Sequence, residues 1–514
     1  MLGLQRTEGG LKNITETPTL RYAGLRLLLG GGGEAESALR ACTNKGFQIL
    51  PAVEILMEGG RGRPTPGAGA ASVMNFGVKG AGPWEITVPH TVYPPREDTI
   101  LLGRAMMELS GRGGRATEIG CGSGALSILL ASMGWKVAAC DVNPFAVAAA
   151  RGNVKRAGFT DAVSVEEGGP GEAGWELQEG TALVVWNLPY LNPPEHDEPS
   201  LEPIEEASMT DTPEGWSDRL LQVMDNELID PSCLVVLLHR TDPGSPSKPD
   251  SWMRNGWSCR KLDSMRIGEE RLEVLSYWKP AAGEPLVIRD QCESTMNEAK
   301  RLPKGGWQRV LALSQNSGRG RRGSSWQTQE GGLACTWVLS SGTLERHPPG
   351  LIQTAVGAAV SYALGCYVKW PNDLVSKDGR KLGGILVEGN SESDGIRVGI
   401  GLNRRGDVVD GTPVAGWDEF IGTKSAIEVY NRLDPAISSL FEEHPLVLPV
   451  ERDEMIALSW KGLSRSLSAG VGLRLEGVSV RAVGLSSEGH LVIESDGFVR
   501  TIDDIGGLDW RSIS

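Results

Sequence analysis

A glycine- and arginine-rich loop at residues 315–326 has the residue types that bind an anion. It runs Gln-Asn-Ser-Gly-Arg-Gly-Arg-Arg-Gly-Ser-Ser-Trp. Glycine lets the backbone turn sharply and come close to a ligand. Arginine carries a planar guanidinium that matches a carboxylate or phosphate with two parallel hydrogen bonds. We therefore expect a loop that closes over an anion, although a flexible surface loop that contacts RNA has the same composition.

Hydroxyl and amide side chains precede and begin this loop. Ser294 and Thr295 lie upstream of it, and Gln315 is its first residue. Such side chains both donate and accept hydrogen bonds, so they suit a ligand that carries donors as well as acceptors. Thr295 also stands three residues before Glu298, the spacing of a helix capping box. A helix start and a ligand contact are compatible with each other here.

A lysine and two glycine pairs follow the loop. Lys369 comes after an apolar run, so we expect it at a strand end, where a salt bridge to Asp373 is its plainest role. Gly383–Gly384 and Gly399–Gly401 lie inside strand-like runs. Glycine inside a strand indicates a bulge or the close approach of another group. We expect the approaching group to be a ligand.

Taken in order, five motifs resemble those of the biotin protein ligases: residues 294–300, 315–326, 369–373, 379–388 and 399–403. The resemblance covers roughly residues 284–514. It implies that the carboxylate of biotin attacks the α-phosphate of ATP, and that a carrier-protein lysine then attacks the adenylate. The implied partner is a biotin carboxyl carrier protein, or the carrier domain of a carboxylase. Lipoate ligases are a weaker match because they lack the Gly-Arg-Gly-Arg-x-Gly loop.

The resemblance also implies a role for each motif residue. Biotin would be bound by Ser294, Thr295, Gln315, Arg319, Gly320, Arg321, Lys381, Gly383 and Gly384. ATP would be bound by Arg322, Trp326, Asn372, Asp373 and Asn403, with Mg²⁺ at Asp373. The catalytic residues would be Lys369, Arg319 and Arg321. Ser324 departs from the arginine of most relatives. We recognise no winged helix and predict no repressor activity, although a regulatory biotin sensor is an alternative.

A second chemical motif, Glu-Ile-Gly-Cys-Gly-Ser-Gly at residues 118–124, should join a strand to a helix. Its alternating glycines make a tight turn against which a ligand can lie. Asp141 ends the next predicted strand, where a carboxylate can accept hydrogen bonds from two ribose hydroxyls. This spacing fits a βαβ unit. The motif departs from the dinucleotide fingerprint, which makes a dinucleotide site less favoured.

The tetrapeptide Asn187-Leu188-Pro189-Tyr190 should lie at the carboxyl edge of the same sheet, where open α/β sheets bind ligands. An amide nitrogen is a poor nucleophile. The side-chain carbonyl of Asn187 and the backbone carbonyl of Leu188 could hold its two N–H groups so that it faces a methyl donor, with Tyr190 beside the planar amide. Positioning can contribute as much as about 7–11 kcal/mol. A plain Asn-x-Pro turn is the alternative.

The glycine loop, Asp141 and the tetrapeptide resemble the S-adenosylmethionine-dependent class I methyltransferases, and residues 93–99 resemble the HemK family of protein-glutamine methyltransferases. The resemblance implies S-adenosylmethionine bound by Thr99, Glu118, Gly120, Cys121, Gly122, Ser123, Gly124, Asp141 and Asn187. The methyl acceptor would be bound by Asn187, Leu188, Pro189 and Tyr190, with Asn187 and Tyr190 catalytic. The implied acceptor is a glutamine of a translation release factor. Leu188 replaces the proline of that family.

Two other interpretations of this half stay open. Amino-group methylation of nucleic acid uses a similar tetrapeptide, but the acidic character of the chain argues against it. A ligase whose methyltransferase-like half is a non-catalytic interaction module is the second.

These motifs require an α/β chain of several domains. We expect an α/β appendage over residues 1–90, a Rossmann-like methyltransferase sheet over 91–280, an α+β biotin-ligase catalytic domain over 284–465 and an SH3-like β-barrel over 466–514. The methyltransferase sheet should end in a hairpin of residues 259–265 and 272–278. Helices are expected at 423–440 and 451–460, and four short strands from residue 471 onwards.

Composition narrows the setting of these activities. The net charge of −14 lacks the basic footprint of a duplex-binding protein, so we expect no DNA partner. No apolar run is long enough to span a bilayer, so we expect no membrane partner. The eight cysteines form no C-x-x-C pair, which favours a reducing cytoplasm over a disulfide framework.

Overall fold

The computed structural model describes residues 71–172, 174–192, 209–225, 230–303, 305–390, 395–409 and 411–512. Residues 1–70 of the predicted N-terminal α/β appendage lie outside the described residues. Among the described helices, none is both long and apolar enough to cross a membrane.

The N-terminal half is a hairpin followed by a seven-stranded sheet in the order β5-β4-β3-β6-β7-β9-β8. The hairpin is β1 (Ser72–Val78) and β2 (Ala81–Val88). The sheet strands are β3 (Gly114–Ile119), β4 (Trp135–Asp141), β5 (Val163–Glu167), β6 (Thr181–Asn187), β7 (Leu234–Asp242), β8 (Ser258–Ile267) and β9 (Glu270–Trp278). The helices are α1 (Glu97–Met107), α2 (Ala125–Ser132), α3 (Pro144–Ala157), α4 (Trp216–Met224) and α5 (Asp250–Arg254).

Strands β3 to β7 are parallel, and β8 and β9 close the sheet as an antiparallel hairpin. This confirms the predicted terminal hairpin and sheet class. Helix α3 shows how the sequence sets its own ends. Asn143 accepts a hydrogen bond from the N–H of Phe145, proline occupies the first turn, and Gly158 ends the helix in the left-handed conformation. Phe76 and Ile86 of the β1–β2 hairpin are buried in the same core as α1 and α2.

The ligase-like half is built on a second, nine-stranded sheet. Its main path is β10-β11-β14-β18-β17-β16-β15, with β19 and β20 joined beside β17. Its strands are β10 (Val287–Cys292), β11 (Gln308–Gln315), β14 (Leu333–Leu339), β15 (Tyr367–Lys369), β16 (Asp373–Val375), β17 (Lys381–Asn390), β18 (Gly395–Leu402), β19 (Asp407–Val409) and β20 (Thr412–Val414), and a separate pair is β12 (Gly318–Arg319) and β13 (Ser325–Trp326). The helices are α6 (Thr295–Glu298), α7 (Ser341–Arg346), α8 (Pro349–Leu364), α9 (Asp418–Ile421), α10 (Ala426–Phe441) and α11 (Arg452–Ser468).

The described C-terminal residues form a five-stranded antiparallel sheet in the order β24-β23-β22-β21-β25. Its strands are β21 (Val471–Leu475), β22 (Val478–Leu485), β23 (Leu491–Ser495), β24 (Phe498–Ile502) and β25 (Leu508–Ser512). The four predicted strands are confirmed, and β25 was missed. The resemblance to an SH3 barrel stays a prediction.

The two halves meet through buried polar groups. The guanidinium of Arg260, on β8, donates to the backbone carbonyls of Ser439 at 2.9 Å, Leu448 at 2.8 Å and Glu442 at 3.1 Å. Trp278 Nε1 donates to the Glu442 carboxylate at 2.9 Å. Because buried polar groups are costly when unpaired, these bonds join the methyltransferase-like sheet firmly to helix α10 and the segment after it.

Candidate active sites

A cavity of about 260 Å³ lies between the arginine loop and the sheet of the ligase-like half. The structure places these predicted ligand-binding residues on its wall: Ser294, Thr295, Gln315, Arg319, Gly320, Arg321, Arg322, Trp326, Asn372, Asp373, Lys381 and Gly384. They come from segments almost a hundred residues apart, and strand pairing brings them together. The cavity wall also includes Met296 and Leu386, motif residues to which no ligand contact was assigned, and Ile505, which lies outside the motifs.

The hydroxyl cluster is preorganised at this cavity. The Thr295 N–H donates to Gln315 Oε1 at 2.9 Å, and Thr336 Oγ1 donates to Thr295 Oγ1 at 2.9 Å. Ser294 is only 1% exposed, and its Oγ has no hydrogen-bond partner among the described residues. A buried hydroxyl without a partner is costly, so this one is a natural contact for a ligand. The helix start is confirmed, but no side chain caps the helix, so the capping box is not formed.

The three loop arginines have different surroundings. Arg319 Nη2 donates to Asn297 Oδ1 at 3.0 Å and lies 3.4 Å from a Glu388 carboxylate oxygen. Arg322 forms an ion pair with Asp504, which lies in the turn between β24 and β25. Burial and then the neighbouring Arg322 lower the pKa of Arg321. Arg321 therefore carries the least compensated charge of the three, which favours binding of an anion there.

Ser324 closes the turn of the arginine loop. The Gly320 N–H donates to the backbone carbonyl of Ser324 at 2.6 Å, and Ser324 Oγ donates to the carbonyl of Arg321 at 2.8 Å. The hydroxyl thus replaces the expected arginine with a local hydrogen bond that shapes the loop.

Lys369 ends strand β15, as predicted, but Asp373 binds a different lysine. Lys381 Nζ lies 2.7 Å from Asp373 Oδ1, although Asp373 is the cross-strand partner of Lys369. Within the described part of the chain, no ion pair is formed by Lys369. The proposed salt bridge between Lys369 and Asp373 is therefore wrong. Lys369 does not itself line the cavity; it stands opposite Asp373, which does.

The strand glycines serve two purposes. A Cβ on Gly401 would overlap the ring of Trp326, and one on Gly399 would come 2.8 Å from Met296 Sδ. A Cβ on Gly384 would meet nothing closer than 3.8 Å. The expectation that a ligand is the approaching group is therefore wrong for Gly399 and Gly401, which make room for this chain's own side chains. A Cβ on Gly384 would fit without displacing any protein atom.

Two further predicted residues lie behind the cavity wall. A Cβ on Gly383 would overlap the carbonyl of Gly401 on the neighbouring strand, so this glycine permits close strand pairing. Asn403 is buried, and its backbone N–H donates to the carbonyl of Leu382 at 2.9 Å. Asn403 therefore fixes the end of β18, and its contact with ATP stays a prediction.

In the methyltransferase-like half, the glycine loop closes onto Asp141. Gly120, Gly122 and Gly124 all have positive φ angles, of 64°, 53° and 80°, which glycine adopts without strain. The Gly122 N–H donates to Asp141 Oδ2 at 2.8 Å, and the Asn143 N–H donates to Oδ1 at 2.9 Å. The carboxylate thus shapes the loop and keeps acceptor capacity on both oxygens.

Glu118 lies beneath this loop with 3% of its surface exposed. Burial raises the pKa of Glu118 to about 8, against a smaller lowering by the Ser127 hydroxyl that donates to it. A carboxyl group in this position stabilises the strand-to-helix turn. Its contact with a cofactor stays a prediction, as do those of Cys121 and Ser123, which are also buried.

The tetrapeptide lies at the end of β6, against helix α1. Asn187 Nδ2 donates to Asp98 Oδ2 at 3.0 Å, and Tyr190 OH donates to the same oxygen at 3.5 Å. Asn187 Oδ1 is buried and has no partner among the described residues. The side chain of Leu188, which stands where the HemK family has proline, is 1% exposed and packs in the core. Only the backbone carbonyl of Leu188 is therefore left to contact the methyl acceptor.

Asp98 belongs to the stretch 93–99, where the resemblance implies that residues 97–99 lie beside the methionine end of the cofactor, but its contact with the tetrapeptide was not predicted. It is 3% exposed, and its Oδ1 accepts hydrogen bonds from the N–H of Thr99 at 2.7 Å and from Thr99 Oγ1 at 3.3 Å. Burial, and then the charge of Asp98, raises the pKa of Tyr190. The position of Asp98 inside the stretch 93–99 pointed to the methyltransferase site. Its contact with Asn187 could not be predicted in this way, because the two residues are 89 positions apart along the chain.

Two family models match the chain. Residues 291–403 match the biotin/lipoate A/B protein ligase family. The C-terminal half therefore contains a biotin/lipoate ligase domain. Residues 104–188 match the model of ribosomal protein L11 methyltransferase, PrmA, so the N-terminal half contains a PrmA-like methyltransferase domain. Both expected classes of domain are thus present, and the methyltransferase match is to PrmA.

Individual relatives resemble the ligase half. Biotin--[acetyl-CoA-carboxylase] ligase of Paracoccus denitrificans is 37% identical over 126 residues, which cover 22% of this chain and 52% of that protein. The bifunctional ligase/repressor BirA of Bacillus subtilis is 29% identical over 245 residues, covering 43% of this chain and 72% of that protein. The solved biotin protein ligase from Aquifex aeolicus in complex with biotin and ATP shows 24% identity, covers 45% of this chain and all of that chain, and has a TM-score of 0.34. The chain thus spans about half the length of the Paracoccus relative.

Proposed function

We propose that the ligase half is a biotin protein ligase that attaches biotin to a lysine of a carrier protein or carrier domain. The observation that carries this proposal is the unpartnered hydroxyl of Ser294, buried beside the Thr295–Gln315 pair at the cavity under the arginine loop. The ureido ring of biotin has two N–H donors and one carbonyl acceptor, which hydroxyl and amide groups can match.

The loop supplies the charge that the first step needs. The carboxylate of biotin attacks the α-phosphate of ATP, and pyrophosphate leaves as the carboxyl–phosphate bond forms. Arg321, half-buried on the cavity wall, would bind the reacting anions, and Lys369 would neutralise the charge that develops on the phosphate. In the second step the carrier lysine attacks the carbonyl carbon, and AMP leaves. A closed loop would exclude water from the adenylate between these steps.

Asp373 forms an ion pair with Lys381, and the described residues contain no group of three or more histidine, cysteine or carboxylate side chains placed to hold a metal. The expected contact of Mg²⁺ with Asp373 stays a prediction.

The test is Lys369→Ala, measured by biotin-dependent exchange of pyrophosphate into ATP. Loss of one preorganised charged donor should lower the rate roughly 100- to 1,000-fold. Lys424→Ala is the matched control, because Lys424 forms an exposed ion pair with Glu428 away from the cavity. Adenylate formation at the wild-type rate in the Lys369 variant would refute the assigned role. Failure of wild type to biotinylate any carrier domain would refute the proposed function.

We also propose that the N-terminal half is an S-adenosylmethionine-dependent N-methyltransferase. The proposed domain bounds are 91–280 for the methyltransferase, 284–465 for the ligase catalytic domain and 466–514 for the C-terminal domain. The observation in favour is the buried, unpartnered Asn187 Oδ1, which can accept a hydrogen bond from the nitrogen to be methylated. The cradle fits the cofactor at Gly122, which lies beside Asp141 and whose Cβ position has no neighbour closer than 3.8 Å. Gly120 and Gly124 instead pack against Trp186 and Ala150. The cofactor would supply the methyl group, and this chain's residues would orient the acceptor.

The proposed acceptor is a protein glutamine, with a release factor as the partner to test first. Calorimetry with S-adenosylmethionine tests the cofactor, and mass spectrometry of a release factor after incubation tests the acceptor. Absence of cofactor binding would instead favour a non-catalytic interaction module. Methylation of nucleic acid alone would support the alternative acceptor class.

A further inference from the structure

Asp98 is a buried carboxylate at the methyltransferase site with no ion pair among the described residues. Several donors point at it, and the hydroxyl of Tyr93 is also hydrogen-bonded to it. Thr99 supplies its N–H and hydroxyl to Oδ1, while Asn187 Nδ2 and Tyr190 OH approach Oδ2. A carboxylate has about four lone-pair sites, so all of its acceptor capacity is used. It is therefore poorly placed to take a proton from a substrate and well placed to hold its neighbours.

We propose that Asp98 is a positioning residue that fixes the amide of Asn187 with its nitrogen inward and its oxygen toward the methyl acceptor. This inference rests on the proposed methyltransferase function. A side-chain amide can turn by 180° with little change of shape, and the turn exchanges an acceptor for two donors. A carboxylate accepts only, so it can pair with the nitrogen of Asn187 and not with the oxygen. The oxygen is then the atom left free, as observed.

This orientation selects the chemical class of the acceptor. An exposed amide oxygen binds an N–H group and repels a carbonyl or carboxylate oxygen. The site is thereby suited to a nitrogen nucleophile that still carries a hydrogen, such as a primary amide or an amine. With the amide reversed, the same residue would present N–H groups to the acceptor nitrogen, which is the wrong polarity for transfer.

Substitution of Asp98 by asparagine separates this role from a merely structural one. The introduced side chain has the same shape, but it carries one acceptor atom and one donor group. If its oxygen keeps the hydrogen bonds from Thr99, its nitrogen faces the nitrogen of Asn187. Two NH2 groups cannot hydrogen-bond to each other there, so the Asn187 amide pairs with the new side chain only by turning its oxygen inward. The fully hydrogen-bonded arrangement in Asp98→Asn is therefore the one in which the Asn187 amide is reversed.

Three variants test the inference in the full-length protein. Asp98→Asn should retain S-adenosylmethionine binding, because its oxygen still accepts from Thr99, but should lower kcat for methyl transfer roughly 100-fold. Asp98→Ala frees the amide of Asn187 and releases Thr99, so it should lose less kcat and bind the cofactor more weakly. Asp263→Asn is the matched control, since Asp263 pairs with Arg104 of the same helix at 2.6 Å. It should have wild-type kcat.

Calorimetry measures cofactor binding, and transfer of labelled methyl groups to an intact translation release factor measures kcat. High-resolution structures of wild type and Asp98→Asn assign the orientation of the Asn187 amide from its hydrogen-bond partners. Reversal of the amide in Asp98→Asn, with its nitrogen turned to the acceptor side, supports the inference. An unchanged amide, or an Asp98→Asn kcat equal to that of the Asp263→Asn control, overturns it. If wild type methylates no release factor, the acceptor proposal fails, and the two structures still decide the role of Asp98.

Discussion

Gly384 and Gly401 offer a direct test of where biotin binds. Both lie on the cavity wall, yet they face different neighbours. A Cβ on Gly384 would make only ordinary van der Waals contacts, with Asp373 Oδ1 and Lys381 Cε both at 3.8 Å. A Cβ on Gly401 would overlap the Trp326 ring. The same added methyl group should therefore act on the ligand in one variant and on the loop in the other.

The magnitudes follow from these distances. Gly384→Ala displaces no protein atom, so its free energy of unfolding should change by no more than about 0.5 kcal/mol. If biotin fills the space, one extra carbon should cost about 1–3 kcal/mol of binding, or roughly 5- to 150-fold in biotin affinity. Gly401→Ala must displace Trp326, so it should destabilise the free protein by about 1–3 kcal/mol.

Isothermal calorimetry with biotin and urea unfolding of both variants give the two quantities. We expect Gly384→Ala to lose affinity at unchanged stability, and Gly401→Ala to lose stability. Undiminished biotin affinity in Gly384→Ala, together with a wild-type unfolding curve, would show that this cavity does not hold biotin.

Two further outcomes concern stability. Arg260→Ala leaves three carbonyls of the ligase half without their donor, so the free energy of unfolding should fall by about 3 kcal/mol or more. The control is Arg266→Ala, which removes only an exposed ion pair on the same strand. Equal urea midpoints for the two variants would contradict the importance of the interface. The raised pKa of Glu118, about 8 against an ordinary 4.5, makes the protonated form the one favoured by folding, so its stabilisation is complete below pH 4.5 and is lost as pH rises to about 8. Glu118→Gln keeps an acceptor for Ser127 and should lack this loss. Between pH 4.5 and about 8, the thermal unfolding temperature of wild type should therefore fall relative to that of the variant. Parallel pH dependences of the two proteins would contradict this prediction.

The motifs predicted most of the ligase cavity, because each is a short segment whose chemistry and local structure are set by neighbouring residues. The glycine and arginine loop, the hydroxyl pair and the strand ends were recognisable in this way. The predicted hairpin and the C-terminal strands were confirmed for the same reason, since alternating patterns and glycine turns are local signals.

Side-chain contacts between neighbouring strands could not be predicted from local sequence patterns. Asp373 is the cross-strand partner of Lys369, but β17 lies beside β16 and brings Lys381 into an ion pair with it. Whether a strand glycine faces a ligand or a tryptophan depends on how the loop folds back over the sheet.

The sequence by itself determined which chemical groups this protein possesses and which short elements carry them. Only the tertiary structure decided the orientation of those groups: that Asp98 fixes the amide of Asn187, and that Arg260 joins the two halves. The physical reason is that hydrogen bonds act over about 3 Å, whereas the groups they join here are separated by 89 and more residues of chain.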